Sequence, residues 1–511
     1  MKIKHLEVLS KDEIEAINSA SLNLLFTVGL KIDSKEVKTL FVNHGAEIDN
    51  ETNFIKLPES LVKEQMKKVP SSFKLHGPDG SFNFEVNTTS TKFATIGTPV
   101  KIYDPSRKSG VRKTVMADTI KQIRIVDSLK HILCSHVDVW PGDVKYTALH
   151  AHCIYQWAKN TRKPYGLGCF GKVASQDMMN MVSTVVGGDE ELIKNPRLVG
   201  FVNPTSPLHL PHIMTNGYEV FAKYKQPTII APEALAGISA PVTLAGLLTQ
   251  TNAEVIGGIV LGQLFNPGAP VFFGTVSCCG DMRTGNSALG SIETGLITTG
   301  MAQMARYYNI PSRGPGGITD SKCFDIQNGF ERYQTLFFAA QAGINYITCA
   351  GTYEETLVEA LELLVIDDEL VGVVKRALEG VTVNDETIGL EVIKKVATAN
   401  KTGSNYLGEA HTRKFMKKEL YLPKLINRER RSTWVKKGSK DIIGVASDIV
   451  EKTLKDYSPP ELDKDIEKKL LDYIKEVESR SLEYFKQAEG IFAKSISIIG
   501  TDVELKEDDI K

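Results

Sequence analysis

Apolar and polar positions alternate in blocks through the middle of the chain. Short apolar runs of strand length are each followed by a turn rich in Gly, Pro or charge. After each turn comes a long stretch whose apolar residues recur three and four apart. The runs fall at 92–96, 131–137, 165–170, 198–203, 228–231, 271–276, 311–314 and 346–350. The amphipathic stretches fall at 114–129, 146–160, 175–186, 211–223, 242–264, 287–308, 324–342 and 355–378. In 242–264, Leu244, Leu247, Leu248, Val255 and Ile259 share one helical face, and Pro241 is placed in the first turn. Eight strand–helix units are the count of an α/β (β/α)8 TIM barrel, which carries its chemistry on the turns after the strands. A doubly wound parallel sheet is the alternative, because strand order is not written in one chain's periodicity.

The flanks read differently. Residues 1–88 are expected to be mainly helical, with Ser10 capping a helix that starts at Lys11 and another helix over 58–68. Short strands are expected near 52–57 and 73–82. Residues 89–380 hold the barrel. Residues 381–511 read as a charged, helical C-terminal region, broken at Ser458-Pro-Pro-Glu-Leu, with a mixed-charge helix from Leu462 and a polar tail that would serve as an arm.

Composition narrows the function. Lys and Arg number 61 and Asp and Glu 62 in 511 residues, a net charge of -1, so nucleic acid is not expected as the main partner. No uninterrupted apolar run is long enough for a membrane span, and residues 1–10 lack the apolar core of a signal peptide, so a cytoplasmic protein is expected. The seven cysteines are odd in number and form no CxxC pair, which argues against a disulfide framework or a structural zinc site. Cys134, Cys169 and Cys349 lie in apolar runs and read as core. His136, His150, His152, His209 and His212 lack the spacing and the acidic third ligand of a metal site, so no metal is expected.

Several blocks carry a family likeness. They are Asn160-Thr-Arg-Lys-Pro164, Ala240-Pro-Val-Thr-Leu-Ala-Gly246, Gln250-Thr-Asn-Ala-Glu254, Asn266-Pro-Gly-Ala-Pro270, Asp281-Met-Arg-Thr-Gly285, Thr319-Asp-Ser-Lys322, His411-Thr-Arg413 and Trp434 with Gly438. In order and spacing the chain resembles the trimethylamine methyltransferase family of corrinoid-dependent amine methyltransferases. The resemblance implies a barrel that presents a methylated amine to the cobalt of a separate corrinoid protein and binds no cofactor tightly itself. Some members carry pyrrolysine. This sequence uses only the ordinary twenty residues, so it looks like the branch that demethylates quaternary amines. Glycine betaine is the first expectation, with proline betaine, carnitine and γ-butyrobetaine next. A barrel with helical additions is also expected to form a homo-oligomer.

Such a substrate sets the chemistry. A quaternary ammonium nitrogen has no N–H, so aromatic faces and diffuse negative charge must hold it. Its leaving group is a neutral tertiary amine, which needs no general acid. Tyr103, Trp140, Phe170 and Tyr353, near the ends of four strands, are candidate cage residues, and Glu233 is the candidate negative charge. Arg313, ahead of Gly314-Pro-Gly-Gly317, is the candidate for a betaine carboxylate. Asp281, Arg283, Asp320 and Lys322 are expected to shape loops or reach the substrate. Two other readings stay open: a barrel lyase or isomerase that binds phosphate at the Gly314–Gly317 turn, and a non-catalytic betaine-binding protein.

Overall fold

The computed structural model describes residues 4–490 apart from 138 and 400–402; of the stretch 458–511 expected to act as an arm, 458–490 is described and 491–511 lies outside the described residues. Eight parallel strands form one sheet: β1 (Lys92–Phe93), β2 (Ser135–His136), β3 (Tyr165–Gly166), β4 (Leu198–Val202), β5 (Thr228–Ile230), β6 (Val271–Gly274), β7 (Ser312–Pro315) and β8 (Tyr346–Thr348). Each pairs with its chain-order neighbour, and β8 pairs with β1. A parallel bridge from Phe93 to Ile132 closes the circle, with Leu133 N–H donating to Phe93 O at 2.8 Å and Thr95 N–H to Cys134 O at 3.1 Å. The sheet is therefore a closed barrel, and the doubly wound alternative is excluded.

The helices that follow are α1 (Met116–Ser128), α2 (Leu149–Asn160), α3 (Lys172–Val186), α4 (His212–Lys223), α5 (Leu244–Phe265), α6 (Ile292–Tyr308), α7 (Ile326–Ala342) and α8 (Leu361–Glu379). Several expected helix starts move; α8, expected from 355, begins only after the short strand Val358–Glu359. Pro241 precedes α5, whose N-cap is Thr243. The stretch expected to start α6 at 287 instead spends Ser287–Ala288 on a short strand against Cys279 and Gly280. Helix α5 is the one described helix long and apolar enough to cross a membrane, and it is mostly buried against the helices Lys11–Thr27 and Glu59–Met66. Its polar residues are bonded within the protein: the Asn252 amide donates to Ser21 Oγ at 2.9 Å and to Tyr308 OH at 3.1 Å. Ser10 caps the first helix in a reciprocal capping box with Glu13, as expected.

The segment expected as a single strand near 73–82 is a hairpin, Ser72–His76 with Asn83–Asn87. Its Leu75, Phe84 and Val86 join Val199, Ile229, Phe272 and Tyr346 in the cluster that fills the barrel. Phe73 sets its ring edge-on to Phe272 at 5.0 Å, and His76 N–H donates to Pro196 O at 2.9 Å, just before β4. The hairpin thus stops the N-terminal end of the barrel and leaves the C-terminal end for chemistry. The C-terminal region packs along the outside of the barrel: Ile442–Asp456 lies on α8 and α1, Lys464–Ser479 on α2 and α3, and Leu482–Glu489 on α3, where it reaches the cavity end.

Candidate active site

A cavity of about 620 Å³ opens beyond the C-terminal ends of β2 to β5, a size suited to a small molecule. Trp140 follows β2, Phe170 follows β3, Asn203 to Ser206 follow β4 and Glu233 follows β5. Tyr146 and His150 enter from the start of α2. Trp140 stands edge-on to Phe170 at 5.7 Å and lies tilted against Tyr146 at 5.9 Å, so three aromatic rings from the connections after β2 and β3 share one wall. The backbone fixes Trp140: its N–H donates to Pro99 O at 3.0 Å and its carbonyl accepts from Thr114 Oγ1 at 2.5 Å.

Glu233 presents its side chain to the cavity lumen, and among the described residues none donates a hydrogen bond to its carboxylate. Burial in the barrel mouth raises its pKa. The Arg313 charge opposes that rise, and Glu355 adds to it. None of the described residues lining the cavity is Lys or Arg. Its histidines are engaged elsewhere: His150 Nε2 with Asp177 at 3.0 Å, His209 Nε2 with Asp33 at 2.7 Å, and His212 Nε2 with the Glu489 carbonyl. Among the described residues, the site therefore combines aromatic faces with one free negative charge and no strong cation.

Much of the recognisable sequence builds the wall from behind. Glu254, the last residue of the Gln250-Thr-Asn-Ala-Glu254 block, is buried on α5. Its carboxylate accepts from Leu208 N–H and Ser206 Oγ, both at 2.8 Å, and from Gln250 Nε2 at 3.0 Å, which holds the turn after β4 against the cavity. Glu254→Ala leaves that buried N–H and hydroxyl unpaired, so it should cost about 2–4 kcal/mol. A urea melt of the variant checks the loss, which should be accompanied by a raised KM. Lys163, in the Asn160-Thr-Arg-Lys-Pro164 block, donates to Val126 O, Leu129 O and Ile132 O at 2.6, 2.6 and 2.8 Å and so ties the end of α1 to the strand after it.

The structure brings Trp140, Phe170 and Glu233 together and places the other sequence candidates elsewhere. Tyr103 and Tyr353 pack on Phe324 at 4.6 and 5.3 Å, around a four-stranded sheet beside β1 and β8, and do not line the cavity. Arg313 is 2 % exposed inside the barrel, where it donates to Thr275 O at 2.8 Å and Thr348 Oγ1 at 2.5 Å and lies over the Phe201 ring. Buried this deep, Arg313 does not line the cavity, although its charge still acts on Glu233. Asp281 and Arg283 pair with each other at 2.6 Å on the sixth loop. Asp320 accepts Gly290 N–H at 2.9 Å, burial lifts its pKa to about 6, and Lys322 is exposed. The Gly314–Gly317 turn is not an open phosphate cradle: Gly316 N–H donates to Thr348 O and Ile318 N–H to Thr335 Oγ1. Gly is required at 317 by its φ of +78°.

Sequence reasoning missed Tyr146, the Asn203–Ser206 wall and three residues from the chain's far end, Leu482, Phe485 and Glu489. The Asn203-Pro-Thr-Ser-Pro207 turn carries a signal in the sequence, two prolines within five residues directly after a strand-length apolar run. The other residues carry no local signal.

Comparison with known proteins gives consistent matches along the chain. The family model for trimethylamine methyltransferase matches residues 1–481. A trimethylamine methyltransferase of Methanosarcina mazei is 34% identical, covering 90% of this chain and 93% of its own. A trimethylamine methyltransferase of Desulfitobacterium hafniense is 32% identical over 91% of this chain and 93% of its own. A glycine betaine methyltransferase from another strain of that species is 30% identical over 91% and 96%. Among solved structures, the monomethylamine methyltransferase of Methanosarcina barkeri aligns over 88% of this chain and 96% of its own, with 12% identity and a TM-score of 0.44.

Proposed function

The chain belongs to the trimethylamine methyltransferase family and is a methyltransferase, and from that premise we propose that it moves a methyl group from a small quaternary amine to the cobalt(I) of a corrinoid carried by a separate protein. Glycine betaine is the first substrate to test, followed by proline betaine, carnitine and γ-butyrobetaine. The observation that carries this reading is the Glu233 carboxylate, without a hydrogen bond from any described residue, in a cavity walled by Trp140, Tyr146 and Phe170 and lined by no Lys or Arg among the described residues.

The residues suit a fixed cation. The aromatic rings offer their negative faces to the trimethylammonium methyls, and the Glu233 carboxylate, set in the barrel mouth and open to the cavity, adds charge without needing an N–H to bond. Cobalt(I), when the partner brings it to the mouth, supplies the electron pair that takes the methyl carbon as the C–N pair leaves with the amine. No residue has to give the amine a proton, so the chain's work is orientation and exclusion of water. A cavity of about 620 Å³ has room for a small amine. Among the described residues no cluster of three or more metal-binding side chains occurs.

A betaine carboxylate meets only neutral or already paired donors here, so recognition should centre on the ammonium head. Tetramethylammonium is therefore expected to bind within about tenfold of glycine betaine, a difference near 1.4 kcal/mol. A thermal-shift titration tests this, since a ligand at a hundred times its Kd adds about 2.7 kcal/mol of stability. A preference for betaines of several hundredfold would move the carboxylate back to the centre of recognition.

A further inference from the structure

We infer that the helix Leu482–Glu489 is a working wall of the amine pocket, with Phe485 setting the space around the cationic head and Glu489 latching the wall shut. This rests on the amine reading above and deepens it. Leu482, Phe485 and Glu489 line the same cavity as Trp140, Phe170 and Glu233, although they stand roughly 250 to 350 residues further along the chain. Phe485 packs on the same apolar cluster as Trp140 and Phe170, and its neighbour Tyr484 faces solvent.

The two ends of this helix are held in different ways. Before it, Arg480 donates to both Asp177 oxygens at 3.0 and 2.8 Å, and Tyr473 OH donates to Asp177 at 2.7 Å. Lys145 Nζ donates to the carbonyls of Glu478 and Arg480 at 2.8 and 3.2 Å. That end is an anchor. At the other end one side chain makes the main polar contacts. The Glu489 carboxylate accepts Lys172 N–H at 2.8 Å and Val173 N–H at 2.7 Å from the start of α3, and Asn216 Nδ2 at 3.0 Å. Negative charge is favoured at a helix N-terminus. Gly171, at φ +92°, leaves the room: a Cβ there would stand 2.7 Å from the Glu489 carboxyl carbon.

An eight-residue helix is not stable by itself in water, so its place depends on these contacts. Local opening of such an element costs far less than global unfolding. The helix can therefore swing about the Arg480 anchor to admit an amine and close Phe485 against it. Phe485 is the specificity-determining residue, and Glu489 is a positioning residue.

The test uses the full chain and two probes, tetramethylammonium and benzyltrimethylammonium, titrated by calorimetry. Phe485→Ala is expected to weaken tetramethylammonium about fivefold to tenfold and to shift preference toward the benzyl probe, while Phe485→Tyr restores the original order. Glu489→Ala is expected to raise the KM for amine more than it lowers kcat and to speed trypsin cleavage after Lys486 severalfold. Tetramethylammonium should slow that cleavage in the native protein. Unchanged affinities and unchanged probe preference in Phe485→Ala would overturn the wall. Equal cleavage rates in Glu489→Ala and native protein would overturn the latch. If native protein binds neither probe, the amine reading and the wall fall together, and the cleavage rates still decide the latch.

Discussion

Glu233→Gln is expected to lower kcat/KM for a quaternary amine by about a hundredfold, with the fold unharmed. The side chain stands in the lumen and makes no hydrogen bond to a described residue, so its amide fits the same space. What is lost is a negative charge beside a cation, an interaction of the size that preorganised charges contribute to catalysis, about 2.7–4 kcal/mol. The pH profile gives a second check. Burial raises the Glu233 pKa, so the carboxylate forms only above the ordinary carboxylate range. Activity in the native protein should rise with pH through that raised pKa as the carboxyl loses its proton, and Glu233→Gln should be flat across the same window. Initial rates of corrinoid methylation from acid to neutral pH measure both. A native profile already flat there, with Glu233→Gln as active as the native protein, would remove Glu233 from the site.

Arg313→Met should act on stability. The guanidinium lies in the barrel core, bonded to Thr275 O and Thr348 Oγ1 and stacked over Phe201. Its removal leaves a buried carbonyl and hydroxyl unpaired, at about 1–3 kcal/mol each, so in a chain of this size the melting temperature should fall by roughly 2–6 °C. The ratio of affinities for glycine betaine and tetramethylammonium should stay as in the native protein. A selective loss of betaine affinity at unchanged stability would instead return Arg313 to the substrate.

The eight strand–helix units were legible because barrel strands, buried on both faces, leave continuous apolar runs, and the helices between them leave a period near 3.6. Closure was not legible, since it depends on Phe93 meeting the chain next to β2 and not on any local pattern. The family blocks were easy to see, and several prove to be joints: Glu254 holds the turn after β4, Lys163 gathers three carbonyls, and Asp281 pairs with Arg283. Motifs of this kind mark places where a buried polar group admits few substitutes. Within the site, Trp140, Phe170 and Glu233 were legible because the barrel rule points to strand ends. The same rule misplaced Tyr103 and Tyr353, which follow their strands into a side sheet. Arg313 was misplaced by one structural detail, its inward side-chain direction within β7. Phe485 and Glu489 had no signal, because they reach the cavity through tertiary packing from the far end of the chain.

The central claim is that this chain passes a methyl group from a quaternary ammonium to cobalt. The most direct measurement is the absorbance change of a purified corrinoid protein, reduced to cobalt(I), on mixing with the native enzyme and each of glycine betaine, proline betaine, carnitine and γ-butyrobetaine. The account predicts stoichiometric conversion to methylated corrinoid with at least one of them, and the loss of most of that rate in Glu233→Gln. No methylated corrinoid with any of the four, using a corrinoid protein that accepts methyl from another methyltransferase, would contradict it.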